Sequence, residues 1–394
     1  MPTLPTGIAG KPLTSGLAGI RPLCHSAAAA ERTSPRAPSR TGTTDDLAAP
    51  GAPALGSTDM SLLQRGHRGH RPAPLAACAA AAAVALAALT GCGSGAAEVA
   101  ADGTAEVKLG VIPIIDIAPV KLGVTNGVFA RHKLKVTTQD SQGGAAIVPA
   151  VVSGDLQFGY SNIVSLLVAR EKGVPVTMVS IGARASGDVM DDGSGQLMTR
   201  DPKITKVADL KGKKVAVNTL KGINEVAVAS VLKKNGLQRG DVELVEVPIP
   251  TMPDTLEAGR VDAAMMSEPF ITIAEGQGAK RLPVSYAGMG AHLPFAGWFT
   301  SKQYAAKNPD VVKRFTAALK ESMAYAEAHP DEARKALDAY LKLEPGLSDK
   351  VTLPGWNPEA GKAEVAPLAQ LTVETGLIGG TGPLDELFAQ ESRP

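Results

Sequence analysis

Residues 150–159, Ala150-Val151-Val152-Ser153-Gly154-Asp155-Leu156-Gln157-Phe158-Gly159, and residues 256–264, Leu256-Glu257-Ala258-Gly259-Arg260-Val261-Asp262-Ala263-Ala264, repeat one order of events at two places in the chain. In each, an apolar helix end meets a glycine, which can take the left-handed cap without a Cβ penalty, and an aspartate then opens a short apolar strand. The element is scaffold. Its two copies predict two units of the same kind.

Working outward, residues 107–112 form a β-branched and leucine run typical of a strand covered on both faces, and residues 117–129 carry helical spacing that ends near Gly127. Residues 134–138 read as a strand, 143–152 as a helix, 156–160 as a strand, 161–172 as a helix and 176–181 as a strand. A second unit starts at residues 209–214, with strands at 215–218, 242–247 and 263–266 and helices at 223–235 and 252–259. Alternation of this kind predicts mainly parallel sheets closed by right-handed crossovers. Residues 295–300 read as a further strand, and 311–329 and 332–343 as helices with no new sheet to cover, so the chain is expected to return to the first unit. The expected fold class is therefore α/β with two lobes, each a mainly parallel sheet flanked by helices. Hinge strands are expected at residues 197–200 and 298–301. They divide the chain into lobe 1 (106–198), lobe 2 (199–297) and a return to lobe 1 (298–394).

The 40 Lys and Arg balance 39 Asp and Glu, so no global field recruits nucleic acid, and aromatics at 4% leave few platforms for stacking bases. Cys24, Cys78 and Cys92 are the three cysteines, which excludes a disulfide, a thiolate nucleophile or a cysteine metal site from everything after residue 92. His132, His292 and His329 show no ligand spacing. Neither a metal nor a cofactor is expected.

Met60 is followed by Arg65, Arg68 and Arg71 and then by an apolar run over 75–89, ending in Leu89-Thr90-Gly91-Cys92. A basic stretch before an apolar run shorter than the roughly 20 residues of a membrane span reads as a secretory signal. The terminal tetrapeptide resembles the bacterial lipobox. That resemblance implies a signal peptide over 60–91, lipid on Cys92, a flexible tether over 92–105, and anchorage to the outer face of the cell membrane. Residues 1–59 are rich in Ala, Pro, Gly, Ser and Thr without apolar periodicity, and cannot bury enough surface to fold. They are expected to be either an over-extended start, with translation from Met60, or a disordered extension.

In order and spacing, the repeated element, residues 209–217 (Asp209-Leu210-Lys211-Gly212-Lys213-Lys214-Val215-Ala216-Val217) and Glu268-Pro269-Phe270 resemble the type 2 periplasmic-binding-protein superfamily. The similarity is to its nitrate, sulfonate, taurine and thiamine-pyrimidine-precursor binding group, from about residue 107 to beyond 329. It implies a monomeric solute-binding lipoprotein, not an enzyme, that captures a small polar molecule and delivers it to an ABC permease with its ATPase. An enzyme on the same fold, or an extracytoplasmic sensory module, is the alternative. The pyrimidine-precursor synthase of this fold uses a cysteine-rich motif and histidines that are absent here.

Ligand contacts belong at the C-terminal ends of the strands, where loops lead into helix N-termini. The loops concerned offer Asp116; Ser141, Gly143 and Gly144; Ser161 and Asn162; and Asn218 and Thr219. Helix capping accounts for Asp116, Asn218 or Thr219 as well as ligand contact does. Glu268, fixed by Pro269 at the mouth of a strand, would as a buried acceptor favour an amine, amide or aminopyrimidine over a sulfonate. Arg184 argues for an anion if it turns inward, and Trp298 reads as either a cleft wall or core.

Overall fold

Strand and helix alternate through the computed structural model, which describes residues 99–388 apart from 357 and 360. The expected leader, Cys92 and most of the expected tether lie outside the described residues. Among them are ten strands: β1 (Ala105–Val111), β2 (Leu134–Asp140), β3 (Phe158–Asn162), β4 (Val176–Arg184), β5 (Gln196–Thr199), β6 (Lys214–Val217), β7 (Glu243–Glu246), β8 (Ala263–Met266), β9 (Lys280–Ser285) and β10 (Pro294–Ser301). They form two five-stranded sheets, ordered β2-β1-β3-β10-β4 and β7-β6-β8-β5-β9.

The two orders are one pattern. In each sheet three parallel strands lead to an antiparallel strand, β10 or β5, and that strand is the first one made after the chain crosses from the other lobe. The crossings therefore lie at residues 185–195 and 286–293. Residues 197–200, expected at a hinge, belong largely to β5, which pairs with β8 and β9 inside lobe 2. Residues 298–301 likewise lie within β10, paired with β3 and β4 in lobe 1. Apart from exposed Arg200, both segments are buried strand, and extended sequence alone does not distinguish a central strand from a connection. β9 carries no expectation from sequence. It holds Pro283, which an edge strand tolerates because its outer N–H has no ladder to serve.

Both repeated elements close as expected, with Gly154 at φ +90° and Gly259 at φ +65°. Their aspartates differ. Asp262 accepts from the Lys214 N–H (2.8 Å) and so ties β8 to the start of β6, whereas in lobe 1 the equivalent acceptor is Gln157, bonded to the Lys108 N–H (2.8 Å). The helix expected over 117–129 is two helices, Ala118–Thr125 and Val128–Arg131, separated by Gly127 at φ +70°. In β1, Glu106 and Lys108 are exposed, so only its C-terminal half is covered on both faces. Ala105, placed in the tether from sequence, already pairs in β1 and bridges Val99.

The return to lobe 1 is built on aromatics. The helix Pro309–Ala328 stacks Phe315 on Phe158 (3.9 Å between ring centroids) and sets it edge-on to Trp298 (5.8 Å). Trp298 thus occupies the core of lobe 1. The helix Gly144–Ser153 lies so close over β3 that a Cβ on Gly159 would come 2.5 Å from Ile147 Cγ2 and 2.6 Å from Phe299 Cε1. Gly159→Ala is accordingly expected to lower stability by about 1–3 kcal/mol, the usual cost of overpacking, read as a fall in the thermal unfolding midpoint.

Candidate ligand-binding cleft

The C-terminal ends of the parallel strands in both sheets point into the space between the lobes, and those ends with the loops and helix starts that follow carry the residues expected to meet a ligand. At the outer part, lobe 1 residues Gln142, Gly143, Ala145 and Ala146 face lobe 2 residues Asn218, Thr219 and Glu246 across a cavity of about 360 Å³. A Cβ on Gly143 would lie 2.6 Å from Thr219 Oγ1 and 3.2 Å from Asn218 Nδ2, so a larger residue there would have to push the Thr219 side chain aside. Gly144 packs against Ser161 in the same way. Gly143, Asn218 and Thr219 are thus brought together from opposite lobes.

Asp116 lies deeper, in the turn Ile115–Ile117 at the end of β1. Its carboxylate accepts from the Tyr160 hydroxyl (3.0 Å) and the Ser194 hydroxyl (3.0 Å), the first from lobe 1 and the second from the crossing 185–195. Trp356 Nε1 donates to its backbone oxygen (3.2 Å). Burial pushes the Asp116 carboxyl up to about 7, against the lowering effect of both hydroxyls. Asp192 joins the two crossings by accepting from the Ala287 N–H (2.7 Å) and the Ser194 N–H (3.2 Å), and burial raises its carboxyl to about 6.

Glu268 is also buried, and burial pushes it up to about 7. Its carboxylate accepts from the Thr272 N–H (3.0 Å) and hydroxyl (2.9 Å), capping the helix Phe270–Gly276, and from the Thr352 N–H (3.4 Å). Its backbone carbonyl accepts from the Ile115 N–H (3.0 Å) and its own N–H donates to the Gly193 carbonyl (2.7 Å). The side chain is committed to joining the lobes rather than turned to the cavity. Asn162 caps the helix Ile163–Glu171 through the Ser165 N–H (2.8 Å), and Ser161 donates to the Asn162 carbonyl. Ser141 extends the β1–β2 ladder by donating its N–H to the Val111 carbonyl (2.8 Å). Arg184 is held by backbone pairing to Gly355.

Sequence reasoning missed Ser194, Asp192, Tyr286, Tyr340 and Trp356. Asn224 donates to Asn218 Oδ1 (2.9 Å) and accepts from the Tyr286 hydroxyl (2.5 Å), so the lobe 2 loop is pinned to the second crossing. Asp192-Gly193-Ser194-Gly195 reads as a loop; only the glycine on either side of Ser194 hinted at close backbone approach. Residues 351–356 run beside the first crossing, where Thr352 Oγ1 donates to Asp191 (2.6 Å). Nothing local in the sequence signals that strap.

Residues 114–333 match the family described as NMT1/THI5 like, more than half of the chain. The chain belongs to the NMT1/THI5-like family. Among curated relatives it is similar to the taurine-binding periplasmic protein of Escherichia coli K12, 26% identical over 226 residues, which is 57% of this chain and 68% of the relative. It is similar also to the 4-amino-5-hydroxymethyl-2-methylpyrimidine phosphate synthase THI13 of Saccharomyces cerevisiae, 23% identical over 59% of this chain and 69% of that one. Among solved structures, the alkanesulfonate-binding protein SsuA of Xanthomonas axonopodis pv. citri bound to MOPS superposes with a TM-score of 0.59 at 19% identity, covering 72% of this chain and 97% of that one. The type 2 periplasmic-binding fold expected from sequence is the observed one.

Three carboxyls of the cleft thus have folded pKa values above their unfolded ones, so the native state holds their protons more tightly. The stability they contribute is complete below about pH 4 and is lost as pH rises through about 6 to 7. Thermal unfolding between about pH 5 and pH 8 is expected to show the midpoint falling with rising pH, and falling less in Asp116→Asn.

Proposed function

We propose that this chain is an extracytoplasmic solute-binding protein that captures a small polar molecule between its lobes and delivers it to an ABC importer. The observation that carries the reading is the meeting of Gly143 with Asn218 and Thr219, loops from two sheets that touch only if the lobes close on one another. Two lobes joined by two short crossings can open and close about them, and a ligand that bridges both lobes favours the closed state. The relatives named for taurine and alkanesulfonate binding support this reading, and the yeast synthase makes a pyrimidine-like nitrogen heterocycle a third ligand class beside sulfonate and nitrate. The cleft residues fit holding better than turnover. Asp116, Asn162, Asn224 and Glu268 are each engaged by fixed donors.

Membrane attachment through a lipid on Cys92 completes the proposal, with the chain acting as a monomer beside its permease. In a bacterial host, Cys92→Ser is expected to move the protein from the membrane fraction to the soluble extracytoplasmic fraction, which cell fractionation and immunoblotting would show.

Thermal unfolding of the full chain against alkylsulfonates, nitrate, aminopyrimidines and amino acids tests capture directly. A ligand at a hundred times its dissociation constant adds about 2.7 kcal/mol of stability. One chemical class is expected to raise the midpoint, with the rise reduced in Asn218→Ala. No rise with any class, alongside turnover of one of the compounds, would overturn binding in favour of an enzyme.

A further inference from the structure

Residues after 333 lie beyond the stretch that matches the family, and the capture proposed above gives them no task. They run back over lobe 1 and, on the way, pass the joint between the lobes. The strap 351–356 is tied to lobe 1 near both ends. Arg334 Nε donates to the Val351 carbonyl (3.0 Å), Gly355 exchanges two backbone bonds with Arg184 of β4 (2.9 and 3.2 Å), and Trp356 Nε1 reaches the Asp116 carbonyl (3.2 Å). Val351 and Trp356 are buried, so these ties are reinforced by packing.

Between those ties, Thr352 bonds in the other direction. Its hydroxyl donates to Asp191 of the first crossing (2.6 Å), and its N–H donates to the Glu268 carboxylate of lobe 2 (3.4 Å). Gly193 of the crossing lies so close that a Cβ there would run into the Thr352 carbonyl. The same oxygen of Asp191 also accepts from Arg281 Nη1 of β9 (2.5 Å), and Arg281 Nε donates to Glu275 (2.7 Å) in the helix Phe270–Gly276. A line of polar contacts thus runs from the lobe 1 strap, through the crossing, to an edge strand and a helix of lobe 2. Beside it, Phe270 and Ile273 of that helix and Leu343 and Leu347 of lobe 1 line a cavity of about 690 Å³, so apolar packing does not hold the lobes together there. The C-terminal region touches lobe 2 again where Glu374 pairs with Lys233 (3.5 Å), but both side chains are exposed and such a pair contributes little. The Thr352 hydroxyl on a carboxylate is of the short, charge-assisted kind.

We propose that residues 351–356 form a clasp over the joint, and that the Thr352 hydroxyl, by holding the first crossing through Asp191, restrains the opening of the cleft. A rotation that carries Asn218 and Thr219 away from Gly143 turns lobe 2 about the crossings. Thr352 stays with lobe 1, so the rotation draws Asp191 and Glu268 away from it and breaks these bonds first. The clasp touches no cleft loop that faces the outer cavity, yet it sets the population of the closed form on which any ligand bridging the lobes depends. None of this depends on which solute is captured.

Hydrogen exchange of the full chain without ligand, read by mass spectrometry, tests the clasp, because amides at the joint exchange through opening and those inside a sheet through larger unfolding. The reporter is the Ile115 N–H, which bonds across the lobes to the Glu268 carbonyl. Loss of one hydrogen bond from the closed form is expected to raise its exchange rate by about threefold to tenfold in Thr352→Val. Residues 107–111 of β1 and 215–217 of β6 are expected to keep their rates, and Thr352→Ser, which retains the hydroxyl, to exchange as the wild type does. Asp191→Ala removes the acceptor from an exposed position and is expected to act in the same direction, which decides the matter if Thr352→Val fails to fold. An unchanged rate at Ile115 in the folded variants would overturn the clasp and leave the capture of a solute standing. Equal acceleration at the joint and in both sheets would overturn it too, since Thr352 would then support the fold as a whole and not the closed form.

Discussion

A carboxylate taken out of water needs donors aimed at it, and at the joint of this molecule those donors come from different pieces of the chain. Asp116 sits at the end of the first strand, yet it is satisfied by Tyr160 from the third strand and by Ser194 from the segment that leaves for the other lobe. Asp192 does the same for the two crossings, and the backbone of Glu268 does it for the first-strand loop. Each of these groups would lose a partner if the lobes were set at another angle. The relative placement of the lobes, and hence of the loops that line the cleft, depends on the satisfaction of a few buried polar atoms at the joint.

Much of the architecture was legible in the sequence because its signals are local. The glycine that ends a helix and the apolar run that follows are decided within about ten residues, and both copies folded as their spacing required. The crossings were misplaced because β5 and β10 are buried and central, and a buried strand and a buried connector have the same composition. β9 was invisible because its proline argues against a strand unless the strand is known to lie at an edge.

The site was legible in part for the same reason. Loops at strand ends could be counted off, which placed Asp116, Gly143, Asn218 and Thr219 at the ends of their strands, where the structure has them. Their partners could not be found this way, because Tyr286, Tyr340 and Trp356 reach the site from the second crossing and the C-terminal region. Glu268 shows the converse. Its position at a strand mouth was read correctly, but the direction of its side chain was decided by Thr272 and Thr352, and only one of those is its neighbour in sequence.

The two lobes also differ in how the chain completes them. Lobe 2 is continuous, its five strands all falling between Gln196 and Ser285. In lobe 1, β10 lies between β3 and β4, so those two strands have no direct ladder to form and their inner edges stay unpaired until residues 294–301 arrive. The Phe315 that covers Phe158 comes later still. During synthesis the second lobe can therefore reach its native pairing while the first is still open, and the first half of the chain carries exposed strand edges for as long as it waits. An intermediate of this kind is a natural client for a chaperone that masks strand edges, and the vulnerable stretch would be β3 and β4.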